Sequence, residues 1–513
     1  MKKSLFLFVV CFVSVFIFVG SAHAAMTVAK LERQNWVKVT TKNFSVVSDK
    51  RQKDVIELVE SLERFRTAFE LFFGIKLSDN IRPVKVILTG NTDMDGFLAG
   101  GSSSVFRKGY FVDSSIGNYA MVEDTDAISG NSTLTMSPRA ILFHEYTHYL
   151  TANLSRANLP RWFSEGFADF MSETQFPNDK TIKFGVPIQR HLRNITEWYE
   201  NNNWVEAEDL FTTNNFSGHS MTRIWQTYAQ GWLTVHYFMI DQERRPKLMR
   251  FLQLLVKGAP VDQAVASGFE MTYAELDAEL KKYSRANKHN FGTATLDKSW
   301  DASELKVEKL QASETLYEVG EFMLSAHDLK AKSRPLFERS LELDDTNPDS
   351  YAALAKTYLT DDLAMSTNLI EKAKAEGLKS PWLTTMSGHV NARRLVNSKD
   401  NTSKENFRKL AIENYQDAIN SQKVNVEAEL AIVALYAQEG NWQQAKQVAE
   451  AAFLHAPSNE AVRRRLLMTY LATGQEDYAN RVVSLIKNNQ HWSADSEKAF
   501  DEWLVKLRAR FAK

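Results

Sequence analysis

The stretch Ser137-Pro138-Arg139-Ala140-Ile141-Leu142-Phe143-His144-Glu145-Tyr146-Thr147-His148-Tyr149-Leu150 decides how the rest of the chain is read. Ser137 suits an N-cap and Pro138 the first helical turn, where a missing N–H is harmless, so a helix is predicted to start here. On it, His144 and His148 stand one turn apart and only about 40° apart around the axis, so both imidazoles can reach one metal ion. Glu145 projects about 100° from His144, beside such an ion, where its carboxylate can hold a water molecule.

The complement lies in Leu159-Pro160-Arg161-Trp162-Phe163-Ser164-Glu165-Gly166-Phe167-Ala168-Asp169-Phe170. Glu165 follows His148 by seventeen residues. A second helix can return its carboxylate to the same ion, giving the ligand set His144, His148 and Glu165 with one position open, as catalytic zinc requires. Asp169, one turn past Glu165 on the same face, can accept the free ring N–H of a ligand histidine and fix its tautomer. Each residue alone reads as a packed or solvated side chain. All five in this spacing point to a metal centre.

His144-Glu145-x-x-His148 followed by Glu165-x-x-x-Asp169 resembles the gluzincin zinc metallopeptidases, and Trp162-x-x-Glu165-Gly166-x-Ala168 is similar to the peptidase MA-like family among them. The resemblance runs from about residue 36 to 285. It takes in the Gly109-Tyr110-Phe111 hairpin, Tyr228 to Tyr237, and Tyr273-Ala274-Glu275-Leu276-Asp277-x-x-Leu280. It implies a zincin-like domain, a Zn2+ cofactor, and peptide-bond hydrolysis by a zinc-activated water with Glu145 as general base. It also implies a tyrosine on a later helix that stabilises the oxyanion; Tyr228 is the candidate and His236, two turns further on, the rival. The plain alternatives for these two are a core aromatic and a packed histidine.

Upstream, Trp36 to Ser48 alternates in strand fashion, Asp54 to Phe73 carries a helical apolar stripe, and Pro83 to Leu88 reads as a buried strand. Gly109 to Val112 and Asn118 to Val122 read as a hairpin joined by a Ser/Gly turn, whose edge can hold an extended peptide. Gly100-Gly101-Ser102-Ser103-Ser104 lacks the Gly-Lys-Ser/Thr of a phosphate loop and reads as a plain loop.

Downstream, Tyr436 and Tyr470, Gly440 and Gly474, and Ala445 and Ala479 recur at a spacing of 34, and Ala411 lies 34 before Ala445. That is the period of a tetratricopeptide (TPR) helix pair. Small residues suit helix crossings, and Pro457 breaks the chain between repeats. Pro335 to Leu343, followed by Asn347-Pro348, reads as the second helix of an earlier, degenerate repeat.

The expected fold is α+β: a zincin-like metallopeptidase domain with a small mixed sheet and a helical subdomain, then an all-α TPR solenoid. The expected boundaries are a signal peptide at 1–24, an α/β part at 25–135, a helical zinc-binding part at 136–288, a linker at 289–314 and repeats at 315–513.

With 62 Lys plus Arg against 63 Asp plus Glu and 44% hydrophobic residues, the chain is globular in composition and has no net field to attract nucleic acid. Lys2-Lys3, the apolar run Leu5 to Val19 and Ala22-His23-Ala24 have the form of a cleaved leader. They predict an exported protein, periplasmic or secreted, with no integral membrane segment after cleavage. The one cysteine, Cys11, lies in that leader, which excludes a disulfide scaffold or thiol enzyme in the mature chain. The expected partners are a peptide or protein substrate and a protein bound by the TPR region. Two other readings stay open: a TPR scaffold with a non-catalytic metal site, and a zinc amide hydrolase acting on cell-wall peptides.

Overall fold

The computed structural model describes residues 28–77, 82–90, 109–123, 136–154, 159–213, 219–296, 300–326, 329–422, 424–487 and 494–512. The predicted leader and the Gly100–Ser104 loop lie outside them. Short apolar runs form the first layer, a mixed sheet. Strands β1 (Val37–Thr40) and β2 (Phe44–Ser48) pair antiparallel, β2 pairs in parallel with β3 (Val84–Thr89), and an antiparallel hairpin of β4 (Gly109–Asp113) and β5 (Asn118–Glu123) joins β3 through β5. After α1 (Val28–Arg33), α2 (Gln52–Phe73) supplies the crossover that the parallel β2–β3 pair requires.

Alternation along each strand sends side chains to both faces, and both are covered. Val46, Val86, Ala120 and Val122 face α2 and α3 (Pro138–Leu154). Val47, Ile87, Tyr119 and Met121 face the other way. The helical part continues with α4 (Arg161–Ser172), strand β6 (Thr181–Phe184), α5 (Gln189–Glu200), α6 (Ala207–Thr212), α7 (Met221–Met239), α8 (Arg245–Val256), α9 (Val261–Ala264) and, after a π-helical turn, α10 (Tyr273–Ser284).

The expected linker at 289–314 is corrected by two strands. β7 (Gly292–Thr295) pairs with β6, and β8 (Lys306–Lys309) pairs antiparallel with β1, completing a six-stranded sheet ordered β4-β5-β3-β2-β1-β8. An uncovered β1 would leave a row of unpaired N–H and C=O groups, which β8 satisfies. Lys306-Val307-Glu308-Lys309 has a single apolar residue, too little periodicity to announce a strand.

The tail is a stack of helix pairs: α11 (Ala312–Ser325) with α12 (Lys330–Leu343), α13 (Pro348–Tyr358) with α14 (Leu363–Ala375), and α15 (Pro381–Asn397) with α16 (Asn401–Ser421). Then come α17 (Val426–Gln438) with α18 (Trp442–His455), α19 (Glu460–Ala472) with α20 (Glu476–Lys487), and α21 (Ala494–Phe511). Ser380, Asp400, Asn425 and Asn459 cap their helices by accepting first-turn N–H groups. Gly440 and Gly474 turn the chain between paired helices at φ of 77° and 72°, the left-handed region glycine adopts without strain. The first pair is not separate from the sheet. Leu316, Val319, Phe322 and Met323 of α11 close the sheet's second face, and Lys38 bonds Glu318 at 2.5 Å. Among the described residues no helix is long and apolar enough to cross a membrane.

Candidate metal centre

Ser137 caps α3, its hydroxyl accepting from the Ala140 N–H at 3.1 Å. The helix is then wedged under the sheet by aromatic packing, with Phe143 stacked on Phe65 at 4.1 Å and Tyr146 edge-on to Phe44 at 5.0 Å. This seating aims the opposite side of α3 at α4. The α4 helix meets α7 at glycines: a Cβ added to Gly166 would lie 2.2 Å from the Gly231 carbonyl carbon, and one on Gly231 would lie 2.4 Å from the Trp162 carbonyl oxygen. Only glycine permits backbones this close, and the crossing brings Glu165 and Tyr228 to one point.

There the three expected ligands converge. Nε2 of His148 is 3.1 Å from Nε2 of His144 and 3.2 Å from Oε2 of Glu165, and His144 Nε2 is 3.5 Å from the same oxygen. A tetrahedral zinc with bonds of about 2.1 Å has ligand–ligand edges of about 3.4 Å, so this triangle fits the ion. Burial by itself would depress the His144 pKa, but hydrogen bonds to Asp169 and Glu165 carry it well above its ordinary value. Burial would raise Glu165, yet the charge of His148 and the bonds to both imidazoles hold it well below the carboxylate range. Opposite shifts of this kind are those of an imidazole and a carboxylate that stabilise each other's charged form.

Asp169 stands where the spacing put it, with Oδ1 2.9 Å from His144 Nδ1. Its other oxygen takes a partner that the motif did not reveal: His191 of α5, whose Nε2 lies 2.6 Å from Oδ2. Burial lowers the His191 pKa, leaving a neutral ring that donates, and the two imidazole donors keep Asp169 ionised despite its own burial. His191 is a lone histidine at no fixed spacing from the ligands, so local sequence carries no signal for it. Two further supports lie inside the quoted α4 stretch: Arg161 Nε is 3.5 Å from Glu165 Oε1, and Ser164 Oγ is 3.3 Å from His148 Nδ1.

Glu145 is half-buried on α3, and its charge reaches both His144 and Tyr228. The Tyr228 ring lies nearly parallel to His144 at 6.1 Å. Burial, then the Glu165 carboxylate it hydrogen-bonds, push its pKa well above the usual value, so the hydroxyl stays a donor. His236, the rival, is elsewhere. It is fully buried, with Nε2 2.9 Å from the Gly185 carbonyl and Nδ1 2.8 Å from the Tyr283 hydroxyl. Both ring nitrogens are used in tying α7 to β6 and α10. Two turns of helix carry it too far along α7 to share the point that Tyr228 reaches.

Residues 139–262 match the model of a family described as proteins of unknown function, DUF1570. The matched stretch contains His144, His148, Glu165 and Tyr228, and its description assigns no activity. No curated protein matches the chain. Among solved structures, the crystal structure of a thermophilic TPR protein of Thermus thermophilus is similar at 16% identity over 38% of this chain and 99% of that one, with a TM-score of 0.33.

Proposed function

We propose that this chain is an exported zinc metallopeptidase with Glu145 as general base. One observation supports the reading above all: Nε2 of His144, Nε2 of His148 and Oε2 of Glu165 form a triangle with zinc-sized edges, and Glu145 sits next to it on the same helix. Zinc bound there supplies a Lewis acid that polarises a peptide carbonyl and acidifies water. Glu145 takes a proton from the attacking water and delivers it to the leaving amine. Tyr228 keeps its proton and donates a hydrogen bond to the carbonyl oxygen as charge builds there. Asp169 fixes the His144 tautomer so that Nε2 faces the ion. The TPR-like tail offers a surface of the class that binds proteins.

The test uses zinc-loaded full-length protein, a mixed peptide library and cell-wall fragments, each with and without chelator. Chelator-sensitive peptide cleavage is expected. Glu145→Gln should keep zinc and lose at least about a hundredfold in turnover, whereas Glu165→Ala should lose the metal itself. Turnover by Glu145→Gln at the parental rate would overturn the base assignment. Cleavage of wall fragments alone would make this a cell-wall amide hydrolase, and no cleavage with zinc bound would leave a scaffold.

A further inference from the structure

The β4–β5 turn is held by the helical stack. Asn459 Nδ2 donates to both the carbonyl and the carboxylate of Asp113 at 3.1 Å, and Ile116 at the tip packs against the cluster of Tyr317, Phe337 and Leu354. Beside the tip, between sheet and stack, lies a cavity of about 210 Å³. Arg82 and Lys85 line it from the sheet side and Glu321 from α11, while Asp349, Trp382 and Glu427 occupy the second position of α13, α15 and α17. The charges around it do not close. Arg82 pairs with Asp113 at 2.7 Å, and Lys85 with Glu321, whose other oxygen accepts from the Tyr317 hydroxyl at 3.1 Å. Glu427 takes Lys356 and the Trp382 indole N–H at 3.1 Å, with His389 Nε2 3.2 Å away. Asp349 stands at the same helical position as Glu427, yet its Oδ1 is buried with no hydrogen-bond partner among the described residues. Its charge is felt at Lys85 and Tyr317, which places it toward the same space. On the sheet side Arg82, only 8% exposed, likewise keeps Nε buried and unbonded. A buried acceptor and a buried donor left unmade both cost stability. The carboxylates are spread around the cavity and not gathered to a point: among the described residues only His144, His148 and Glu165 come close enough to hold one metal ion between three ligands. The group that would satisfy both walls is therefore larger than an ion.

We propose that this cavity binds a free basic amino acid, arginine or lysine, with the side-chain cation at Asp349 and Trp382 and the α-carboxylate at Arg82. The lining carries three carboxylates against two cations, and the acid left over, Asp349, calls for a ligand with one net positive charge. A guanidinium or ammonium there makes a charge-assisted bond to the carboxylate and is attracted to the indole surface of Trp382. At the other end the free Nε–H of Arg82 needs an acceptor, which an amine without a carboxylate lacks. The volume, about seven waters' worth, admits a chain of that length. Because Arg82 belongs to the sheet half and Asp349 to the stack, the ligand bridges the two, whether or not the chain is a peptidase.

Isothermal titration calorimetry of the full chain with L-arginine and L-lysine tests it. One saturable site per chain is expected for at least one of them. L-citrulline, the neutral counterpart of arginine, and acetyl-arginine amide, which lacks the carboxylate, should each bind at least about tenfold more weakly than arginine. Asp349→Asn keeps the Asn347 cap of α13 and should weaken the binding at least about tenfold, with helical circular dichroism as the check on folding. A chelator that strips the metal centre should leave the affinity unchanged. The ligand series on the parent chain decides without any variant: no saturable heat with either amino acid would overturn the proposal and leave a cavity filled by water alone, and so would citrulline or the blocked arginine binding as tightly as arginine. Parental affinity in folded Asp349→Asn would also overturn it, as would binding lost with chelator, which would put the amino acid at the metal centre.

Discussion

Two helix crossings use small residues in this molecule, with different results. Where α4 meets α7, Gly166 and Gly231 leave no room for a single methyl, and the neighbouring positions carry Glu165 and Tyr228. In the solenoid the same role falls to Ala445, Ala449 and Ala479, fully buried with their methyl groups in place and packed among Val433, Leu466 and Leu467. One methyl group sets the separation. The closer crossing lets side chains from two helices share an ion-sized space, while the wider one fills with apolar contact and gives a neutral, repeatable seam.

The sharpest way to break this contrast is to add the methyl. Gly166→Ala forces rigid backbone apart and is expected to lose about 3 kcal/mol in denaturant unfolding, with zinc affinity falling as Glu165 moves off the triangle. The converse change, Ala445→Gly, removes one buried methyl and some helix propensity, and should lose about 1 kcal/mol with zinc binding untouched. Equal losses, or weaker zinc binding in the second variant, would erase the difference between the crossings.

A smaller effect sharpens the account of what the converging side needs beyond its ligands. His191→Ala strips Asp169 of one of its two imidazole donors, and zinc affinity should fall about ten- to a hundredfold with helical circular dichroism unchanged. His191→Gln, whose amide can still donate, should recover part of the loss. Parental affinity in His191→Ala would mean that the fold alone orients Asp169.

The smallest expected effect concerns His236, the histidine on α7 that lies away from the His144, His148 and Glu165 cluster. Burial lowers its pKa from 6.5 to about 4, as suits a ring that donates to Gly185 and accepts from Tyr283, with His289 alongside. A depressed histidine contributes its stability fully above the unfolded value, and that contribution disappears as pH falls through the folded one. Melting temperature should therefore drop from neutral pH toward pH 4. His236→Gln, measured over the same range, should show a shallower drop. Identical slopes would remove His236 as the cause.

The parts legible in sequence were those written at helical or strand period. The α3 and α4 motifs, their cap at Ser137 and the hairpin depend on neighbours within a few residues, and the recurrence of Gly440 with Gly474 depends on a fixed period of 34. The two covered faces of the sheet were only partly written: Pro83 to Leu88 reads as a buried strand, whereas Trp36 to Ser48 alternates like a strand with one covered face, although Phe44 to Ser48 is buried at every position. What supplies the second layer was not legible, because α11 looks like any amphipathic repeat helix until it is seen against Ile87 and Tyr119.

By itself, then, the chain's order of residues determined which side chains could serve a metal ion and that a helical stack follows, since both are local periodicities that fold onto one helix face or repeat from pair to pair. Tertiary structure alone decided that Tyr228 rather than His236 meets the cluster, that His191 completes the hold on Asp169, that β8 closes the sheet and that the stack grips the β4–β5 turn. These join residues with no fixed separation along the chain, so only the way helices cross and sheet edges find partners can bring them together.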